Sequence, residues 1–287
     1  MANNSLTTER LSEIAELAEI VADDYCPNGR VEPEKIAQAV DVTFNYGRYQ
    51  DYFDGLLEHK SGRFHIYCNL DRVEDPNTGR AHFTMAHELG HYFIDEHRNA
   101  LAAGAAPSHP SFSEYESEFL VEGEADHFAS NLLMPEKRFR GTCKAKRLGM
   151  ASILELSKLF GTSVTSTTLR YVKLDIVPCA VFKWTNSTLQ WHWMSTDTFR
   201  ARFGAVVRTG RELPPDSPTA KALRGERPLD DPWFEAGTTV SAWFRRVSDS
   251  SHRNDILIEQ AISLGRFGVL SFIFPETGQY SFSGKVG

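Results

Sequence analysis

The stretch 83–95 (FTMAHELGHYFID) constrains the fold of this chain more than any other feature. It contains the pattern His-Glu-x-x-His at His87, Glu88 and His91. Residues i and i+4 of a helix lie on the same face, so the two histidines can direct their imidazoles at one ion. Glu88 can reach a water on that ion without being a ligand itself. The stretch therefore predicts a helix that carries a zinc site of the kind that hydrolases use.

The same pattern has a purely structural interpretation, because two surface histidines on an amphipathic helix look similar in sequence. Here apolar or small residues surround the histidines at helical spacing: Phe83, Ala86, Gly90, Phe93 and Ile94. Unpaired imidazoles are costly to bury among such residues. Metal binding is therefore the favoured interpretation.

Composition narrows the class of protein. With 41% hydrophobic and 24% charged residues, the chain has the composition of an ordinary globular protein. A net charge of -7 argues against a general nucleic-acid binder. The sequence shows neither a secretion signal nor a membrane-spanning segment, and its four cysteines have no paired spacing. We expect a cytoplasmic protein with free thiols.

The residues before the motif predict two helices and then a small sheet. Helical periodicity covers 7–24 and 33–40, and alternation predicts strands over 42–46, 55–57 and 63–68. After the metal helix, residues 98–113 are rich in Ala, Gly, Pro and Ser and predict an exposed loop.

A catalytic zinc ion needs a third protein ligand, which we expect on a helix over about 114–134. Glu122 and Asp126 lie one helical turn apart there, so Glu122 can bind the metal while Asp126 fixes the tautomer of a ligand histidine. Glu118 and Glu124 are the competing carboxylates. Glu124 points about 160° away from Glu122 on a regular helix, which favours a solvated acidic face for both competitors.

His97 is a further candidate, because the spacing of His87, His91 and His97 is that of the metzincins. In that pattern a glycine between the second and third ligands lets the chain turn, and this chain has Ile94 at that position. We therefore expect His97 near the end of the metal helix, favoured there by the helix dipole, and not on the metal.

Two motifs together resemble the ImmA/IrrE family of metallopeptidases: FTMAHELGH at 83–91 and EGEADHFASNLLMP at 122–135. The resemblance extends over the first 175 residues and implies a zincin-like, thermolysin-like mini-domain. It implies zinc on His87, His91 and Glu122, with Glu88 as the catalytic base. The family often has Asn where this chain has Asp126, and Asp should still orient a histidine.

A helical segment follows that resembles a helix-turn-helix, with helices over 153–160 and 164–174 around 161–163. Four of its side chains could face DNA: Thr165, Thr168, Arg170 and Lys173. The surrounding charge is modest, and the family commonly packs such helices against the peptidase core. Direct DNA binding is therefore not the favoured interpretation.

The rest of the chain predicts a mostly β C-terminal domain of open role. Its signals are a hairpin of 179–184 and 188–194, a loop over 213–232, and strands or short elements over 238–247, 255–261 and 269–274, with 279–283 closing the chain. The whole chain is thus predicted to be α+β, with a metallopeptidase domain over 1–140, a helical extension over 141–175 and the β domain over 176–287.

These patterns and the resemblance predict a zinc-dependent metalloendopeptidase of the gluzincin type, with Mn²⁺ or Fe²⁺ as alternative metals. The resemblance implies limited proteolysis of a helix-turn-helix transcriptional repressor during stress or mobile-element induction. One alternative is a toxin or regulatory partner that binds an antitoxin or repressor and has a structural or weakly active metal site. Another is a DNA-binding regulator.

Overall fold

The structure is a computed structural model that describes residues 6–105, 109–111, 120–143, 148–195, 199–200, 203, 206–207, 213–246 and 254–276. The chain forms two compact units, residues 1–141 with 156–163 and residues 142–155 with 164–287. No helix in the described ranges is long and apolar enough to cross a membrane.

The first unit begins with the two predicted helices, α1 (Thr8–Tyr25) and α2 (Pro33–Ala39). Thr7 caps α1, because its hydroxyl accepts a hydrogen bond from the N–H of Arg10 at 3.2 Å. The apolar face predicted from the periodicity is buried at Ile14, Ala18 and Val21. Both helices are thus confirmed.

A four-stranded sheet follows, in the order β1-β3-β2-β4. Its strands are β1 (Thr43–Gly47), β2 (Gly55–Lys60), β3 (Arg63–Asn69) and β4 (His109–Ser111). β1 runs parallel to β3, while β2 is antiparallel to both β3 and β4. The hairpin between β2 and β3 turns at Ser61 and Gly62, whose φ angles of 52° and 76° are in the left-handed region.

Five further helices lie between residues 70 and 143: α3 (Leu70–Val73), α4 (Gly79–Phe93), α5 (Asp95–Ala102), α6 (Leu120–Leu133) and α7 (Glu136–Cys143). Ile94 ends α4 in an extended conformation (φ -75°, ψ 112°), and α5 begins at the next residue. The prediction of an exposed loop over 98–113 is therefore wrong where α5 and β4 lie. Its residues 106–108 and 112–113 are outside the described ranges.

The two helices predicted after α7 are present as α8 (Met150–Phe160) and α9 (Val164–Lys173). Gly161 between them has a φ of 65°, which glycine adopts without strain.

The second unit contains a five-stranded antiparallel sheet in the order β6-β5-β11-β10-β8. Its strands are β5 (Ala180–Thr185), β6 (Thr188–Met194), β8 (Trp233–Thr239), β10 (Ile256–Ser263) and β11 (Val269–Pro275). A separate pair joins β7 (Val206–Val207) to β9 (Phe244–Arg246). The prediction of a β-rich C-terminal region is confirmed.

This unit also contains two short helices, α10 (Pro218–Leu223), where a loop was predicted, and α11 (Val240–Trp243), within the predicted strand or short element over 238–247. Ser217 caps α10 and Pro218 occupies its first turn, so a segment with the composition of a loop forms a helix. The core of the unit is aromatic and includes Phe182, Trp184, Phe199, Phe203, Trp243 and Phe244. The predicted closing element over 279–283 lies outside the described residues.

Candidate metal centre

Helix α4 brings the two histidines of the motif together. Thr78 caps the helix by accepting a hydrogen bond from the N–H of Ala81 at 3.1 Å. From this start the regular helical spacing places His87 and His91 on one buried face, with their Nε2 atoms 3.1 Å apart. Two imidazole nitrogens thus meet at one point inside the protein.

Glu122 on α6 completes the group. Its Oε2 lies 3.2 Å from Nε2 of His87, and its Oε1 lies 3.4 Å from Nε2 of His91. α6 reaches this position because α4 has a glycine on the facing side. A Cβ at Gly90 would come within 3.2 Å of the backbone of Ala125.

The chemistry and spacing of these three residues fit a divalent metal ion. One ligand atom from each of His87, His91 and Glu122 lies within 4.8 Å of the other two. Tetrahedral zinc with bonds of about 2.0–2.1 Å separates its ligand atoms by about 3.3 Å. The two histidine nitrogens are 3.1 Å apart, and each lies 3.2–3.4 Å from a different oxygen of Glu122, so the separations are close to that distance. The group can hold a metal, and its donor set also suits Mn²⁺ and Fe²⁺.

The same contacts shift the protonation of the group. Burial opposes protonation of His87, but hydrogen bonds to Asp126 and Glu122 outweigh it and raise the pKa of His87 to about 10. Burial also opposes ionisation of Glu122, yet its contacts with both histidines hold the pKa of that carboxyl well below its usual range. Metal binding here must therefore compete with protons and release them.

Asp126 supports His87 from the outer side. Its Oδ1 lies 2.8 Å from Nδ1 of His87. A carboxylate can only accept, so this contact places a proton on Nδ1 and leaves Nε2 free to bind a metal. The arrangement is the one expected for Asp126 from its spacing with Glu122.

Glu88 lies beside the group and is 1% exposed. Neither of its carboxyl oxygens has a hydrogen-bond partner within the part of the chain that the structure describes. Burial raises the pKa of Glu88 to about 7, an effect that the adjacent His87 and the nearby Ser111 moderate. A buried carboxyl whose pKa lies near neutrality can accept a proton at neutral pH, as a general base must.

Gly55 makes room for Glu88. A Cβ at position 55 would lie 2.5 Å from Oε1 of Glu88 and 2.7 Å from Cγ2 of Thr84. A larger residue in β2 would therefore displace the Glu88 carboxyl or the Thr84 side chain. The sequence gives no signal for this role of Gly55, because it comes from the contact between a strand and a helix and not from local spacing.

Glu124 differs from its prediction. Instead of lying on a solvated face, it is part-buried, with Oε1 2.9 Å from Nε of Arg10 and Oε2 3.0 Å from its second nitrogen. The reason is that α1, which carries Arg10, covers the side of α6 that faces away from Glu122. Glu118, the other competing carboxylate, lies outside the described residues.

His97 also differs from its prediction. It lies in the first turn of α5 and not at the end of α4, because the chain breaks at Ile94 and starts a new helix. It is buried, with its Nδ1 3.2 Å from Nδ1 of His91 and its Nε2 3.0 Å from Oε2 of Glu124. Burial and the neighbouring His91 lower its pKa to about 4. His97, which its spacing made a candidate for a third histidine ligand, thus contacts the proposed ligand His91 on the side away from the metal group.

The side chains on α9 that could have faced DNA are mostly buried. Thr165, Thr168 and Arg170 are at most 8% exposed, and Nζ of Lys173 lies 4.5 Å from the centre of the Trp193 ring. These four residues therefore do not form an exposed basic face.

Comparison with known proteins identifies the segment that contains the site. Residues 74–170 match the protein family described as the IrrE N-terminal-like domain, Peptidase_M78. This segment includes α4 and α6, so all of the metal-binding candidates lie in it. The resemblance inferred from the two motifs is confirmed for this part of the chain.

A solved structure, a Mycobacterium tuberculosis transcriptional regulator, is similar to this chain with a TM-score of 0.55. The similarity covers 92% of this chain and 77% of that chain at 12% sequence identity, so it concerns the fold. No curated protein matches the chain in sequence.

Proposed function

We propose that this protein is a zinc-dependent metalloendopeptidase of the gluzincin type that makes a limited cut in a protein substrate. The observation that carries the proposal is the buried group of His87, His91 and Glu122, whose ligand atoms lie within 4.8 Å of one another. Glu88 lies next to this group in the sequence and in space, and the match of residues 74–170 to a peptidase family supports the same chemistry.

A zinc ion bound by these three residues supplies a Lewis acid that polarises a peptide carbonyl and acidifies a water molecule. Glu88 accepts a proton from the attacking water as a general base and then donates it to the leaving amine nitrogen. Asp126 holds His87 in the tautomer whose Nε2 faces the ion, through the contact at 2.8 Å. Gly55 leaves the space that the Glu88 carboxyl occupies.

For the substrate, we propose a helix-turn-helix transcriptional repressor, cleaved in the cytoplasm during a stress or mobile-element response. This part of the proposal comes from the family resemblance. The fold that the chain shares with a transcriptional regulator supports a role in transcription control.

The test is to incubate the purified, zinc-loaded protein with the repressor encoded by a neighbouring gene, with and without a chelator. The proposal expects one discrete fragment that appears only without chelator. The Glu88→Gln variant, loaded with zinc to the same level, should leave the repressor intact. Cleavage that persists in both controls would come from a contaminating protease and would remove the support for the proposal.

A second candidate function is a regulatory partner that binds a repressor or antitoxin through a structural or weakly active metal site. The deep burial of the group favours it, since His87 is 1% and His91 5% exposed, which leaves little room for a peptide to reach the metal. Stable binding of the repressor by zinc-loaded protein, without any cut, would select this alternative.

A further inference from the structure

The two histidines of the metal group differ in the side chain that contacts their Nδ1 atom, on the side of the ring away from the group. Nδ1 of His87 faces the carboxylate of Asp126 at 2.8 Å, whereas Nδ1 of His91 faces the imidazole of His97 at 3.2 Å. A carboxylate can only accept a hydrogen bond, but a neutral imidazole can donate or accept at either nitrogen, depending on its tautomer. His91 is therefore oriented only if something else fixes the tautomer of His97.

The contacts allow one consistent placement of the protons. When Nε2 of His91 binds a metal, its proton is on Nδ1, so His91 donates to His97. Nδ1 of His97 must then accept, which places the proton of His97 on Nε2. That nitrogen lies 3.0 Å from Oε2 of Glu124, a carboxylate that accepts it. Each contact then has one donor and one acceptor.

Arg10 is the last residue in the series of contacts that runs from His91 through His97 and Glu124. Its Nε and a terminal nitrogen lie 2.9 and 3.0 Å from the two oxygens of Glu124, a bidentate contact that fixes the plane of the carboxylate. The Glu124 side chain is 13% exposed and that of Arg10 is 27% exposed, so the series leads from the buried metal group towards solvent.

The backbone explains how His97 reaches this position. Because α4 ends at Ile94 and α5 starts at Asp95, the chain turns back, and the rings of His91 and His97 have centroids 5.1 Å apart. The Nδ1 of His97 faces the Nδ1 of His91, the nitrogen on the opposite side of that ring from the metal group. His97 therefore supports a ligand and does not add one.

We propose that His97 is a positioning residue for the metal ligand His91, and that Glu124 and Arg10 hold His97 in the Nε2–H tautomer that this requires. The proposal rests on the proposed function only in its premise that His87, His91 and Glu122 bind a metal; it does not depend on peptidase activity.

The first experiment measures zinc affinity by competition with a chelating dye for the wild-type protein and four variants. His97→Leu removes the acceptor for His91 and should weaken zinc binding about 10–100-fold, the usual effect of losing the partner of a metal ligand. Glu124→Gln should weaken binding less than His97→Leu, because the amide can still accept from His97 through its oxygen.

Two further variants separate positioning from packing. His97→Gln should restore much of the affinity lost in His97→Leu, because its carbonyl can accept from His91 while its amide can donate to Glu124. Glu96→Gln is the matched control, since Glu96 also contacts Arg10, at 3.1 Å, but is not a partner of His97. It should bind zinc as the wild type does. Equal affinities for His97→Leu and wild type, or no rescue by His97→Gln, would overturn the proposal.

The second experiment needs no variant and so does not depend on whether His97→Leu folds. Long-range proton–nitrogen NMR spectra of the zinc-loaded wild-type protein distinguish the tautomers of each histidine. The expected result is Nδ1–H for His91 and Nε2–H for His97. A proton on Nδ1 of His97 would contradict the proposal. If the wild type binds no zinc, the premise of the proposed function fails; if it binds zinc with the wrong tautomers, only the present proposal fails.

Discussion

Each unit of the chain buries a glutamate, and the surroundings of the two differ. Glu259 on β10 is fully buried, and both of its oxygens accept hydrogen bonds, Oε1 from the N–H of Thr219 at 2.8 Å and Oε2 from Nε1–H of Trp243 at 3.0 Å. Burial raises the pKa of Glu259 while these hydrogen bonds oppose the shift. Both carboxyl oxygens of Glu259 thus accept hydrogen bonds from other buried residues of the second unit.

Glu88 on α4 is buried to the same degree, but its two oxygens have no hydrogen-bond partner among the described residues. Its carboxyl is close enough to His87 and Glu122 to interact with their charges. Most buried polar groups are hydrogen-bonded, and the exceptions need an explanation. The difference indicates that Glu259 has a structural role, and it is consistent with the role proposed for Glu88 as a proton acceptor.

The Glu88→Gln variant tests the proposed role of Glu88 and should have the largest effect. The change keeps the size of the side chain and removes its capacity to accept a proton, so repressor cleavage should fall by about 10²–10⁴-fold, the usual contribution of a general base. Zinc content, measured by elemental analysis, should stay at the wild-type level. Undiminished cleavage by a zinc-loaded Glu88→Gln protein would show that Glu88 is not the base.

Removing a proposed ligand should affect the metal instead. Glu122→Ala deletes one of the three donors, so zinc affinity should fall by more than the roughly 10–100-fold expected for residues that only support a ligand. Elemental analysis after dialysis should then find little zinc. Asp126→Asn, which keeps an acceptor for Nδ1 of His87, should retain more zinc than Glu122→Ala. If Asp126→Asn retained less zinc than Glu122→Ala, Glu122 would not be a metal ligand.

Gly55→Ala tests whether the space around Glu88 matters. The added Cβ would meet Oε1 of Glu88 at 2.5 Å, so the carboxyl must shift, and displacement by about 1 Å can cost up to about 10²-fold in rate. Zinc affinity should change little. Gly237→Ala is the control, because Gly237 is also in a strand but a Cβ there meets nothing within 4 Å. Equal cleavage rates for the two variants would contradict this role of Gly55.

Glu259→Gln should lower the free energy of unfolding and leave zinc affinity unchanged. The new amide group must face one of the two N–H donors, which leaves a buried donor without an acceptor and costs about 1–3 kcal/mol in the free energy of unfolding. Denaturant titration measures this loss. Glu226→Gln, which changes a glutamate paired with the exposed Arg224, should stay within about 0.5 kcal/mol of the wild type. A Glu259→Gln protein of wild-type stability would remove the structural half of the comparison.

The features of the site that depend only on residue spacing within a single helix could be predicted from the sequence. The spacing i, i+4 on α4 placed His87 and His91 together, and the same spacing on α6 placed Glu122 and Asp126 on one face. The structure brings His87, His91 and Glu122 together, with Asp126 behind His87, because Gly90 lets the two helices approach closely. Both helices are regular, so periodicity was enough.

The parts that depend on contacts between elements could not be predicted. His97 reaches His91 only because the chain leaves the helical conformation at Ile94, a residue that gives no local signal for a break. Glu124 is part-buried only because α1 brings Arg10 over α6. Tertiary contacts decided the outcome at both positions. α10 is a different case, because Ser217 and Pro218 are local signals for the start of a helix, although the composition of the segment indicated a loop.

Metal binding by His87, His91 and Glu122 can be tested by anomalous diffraction at the zinc absorption edge from crystals grown with zinc. We expect one strong peak between Nε2 of His87, Nε2 of His91 and the carboxylate of Glu122, with the side chain of Glu88 beside it. A zinc peak on other residues, or none at this group in crystals saturated with zinc, would show that these residues do not bind the metal.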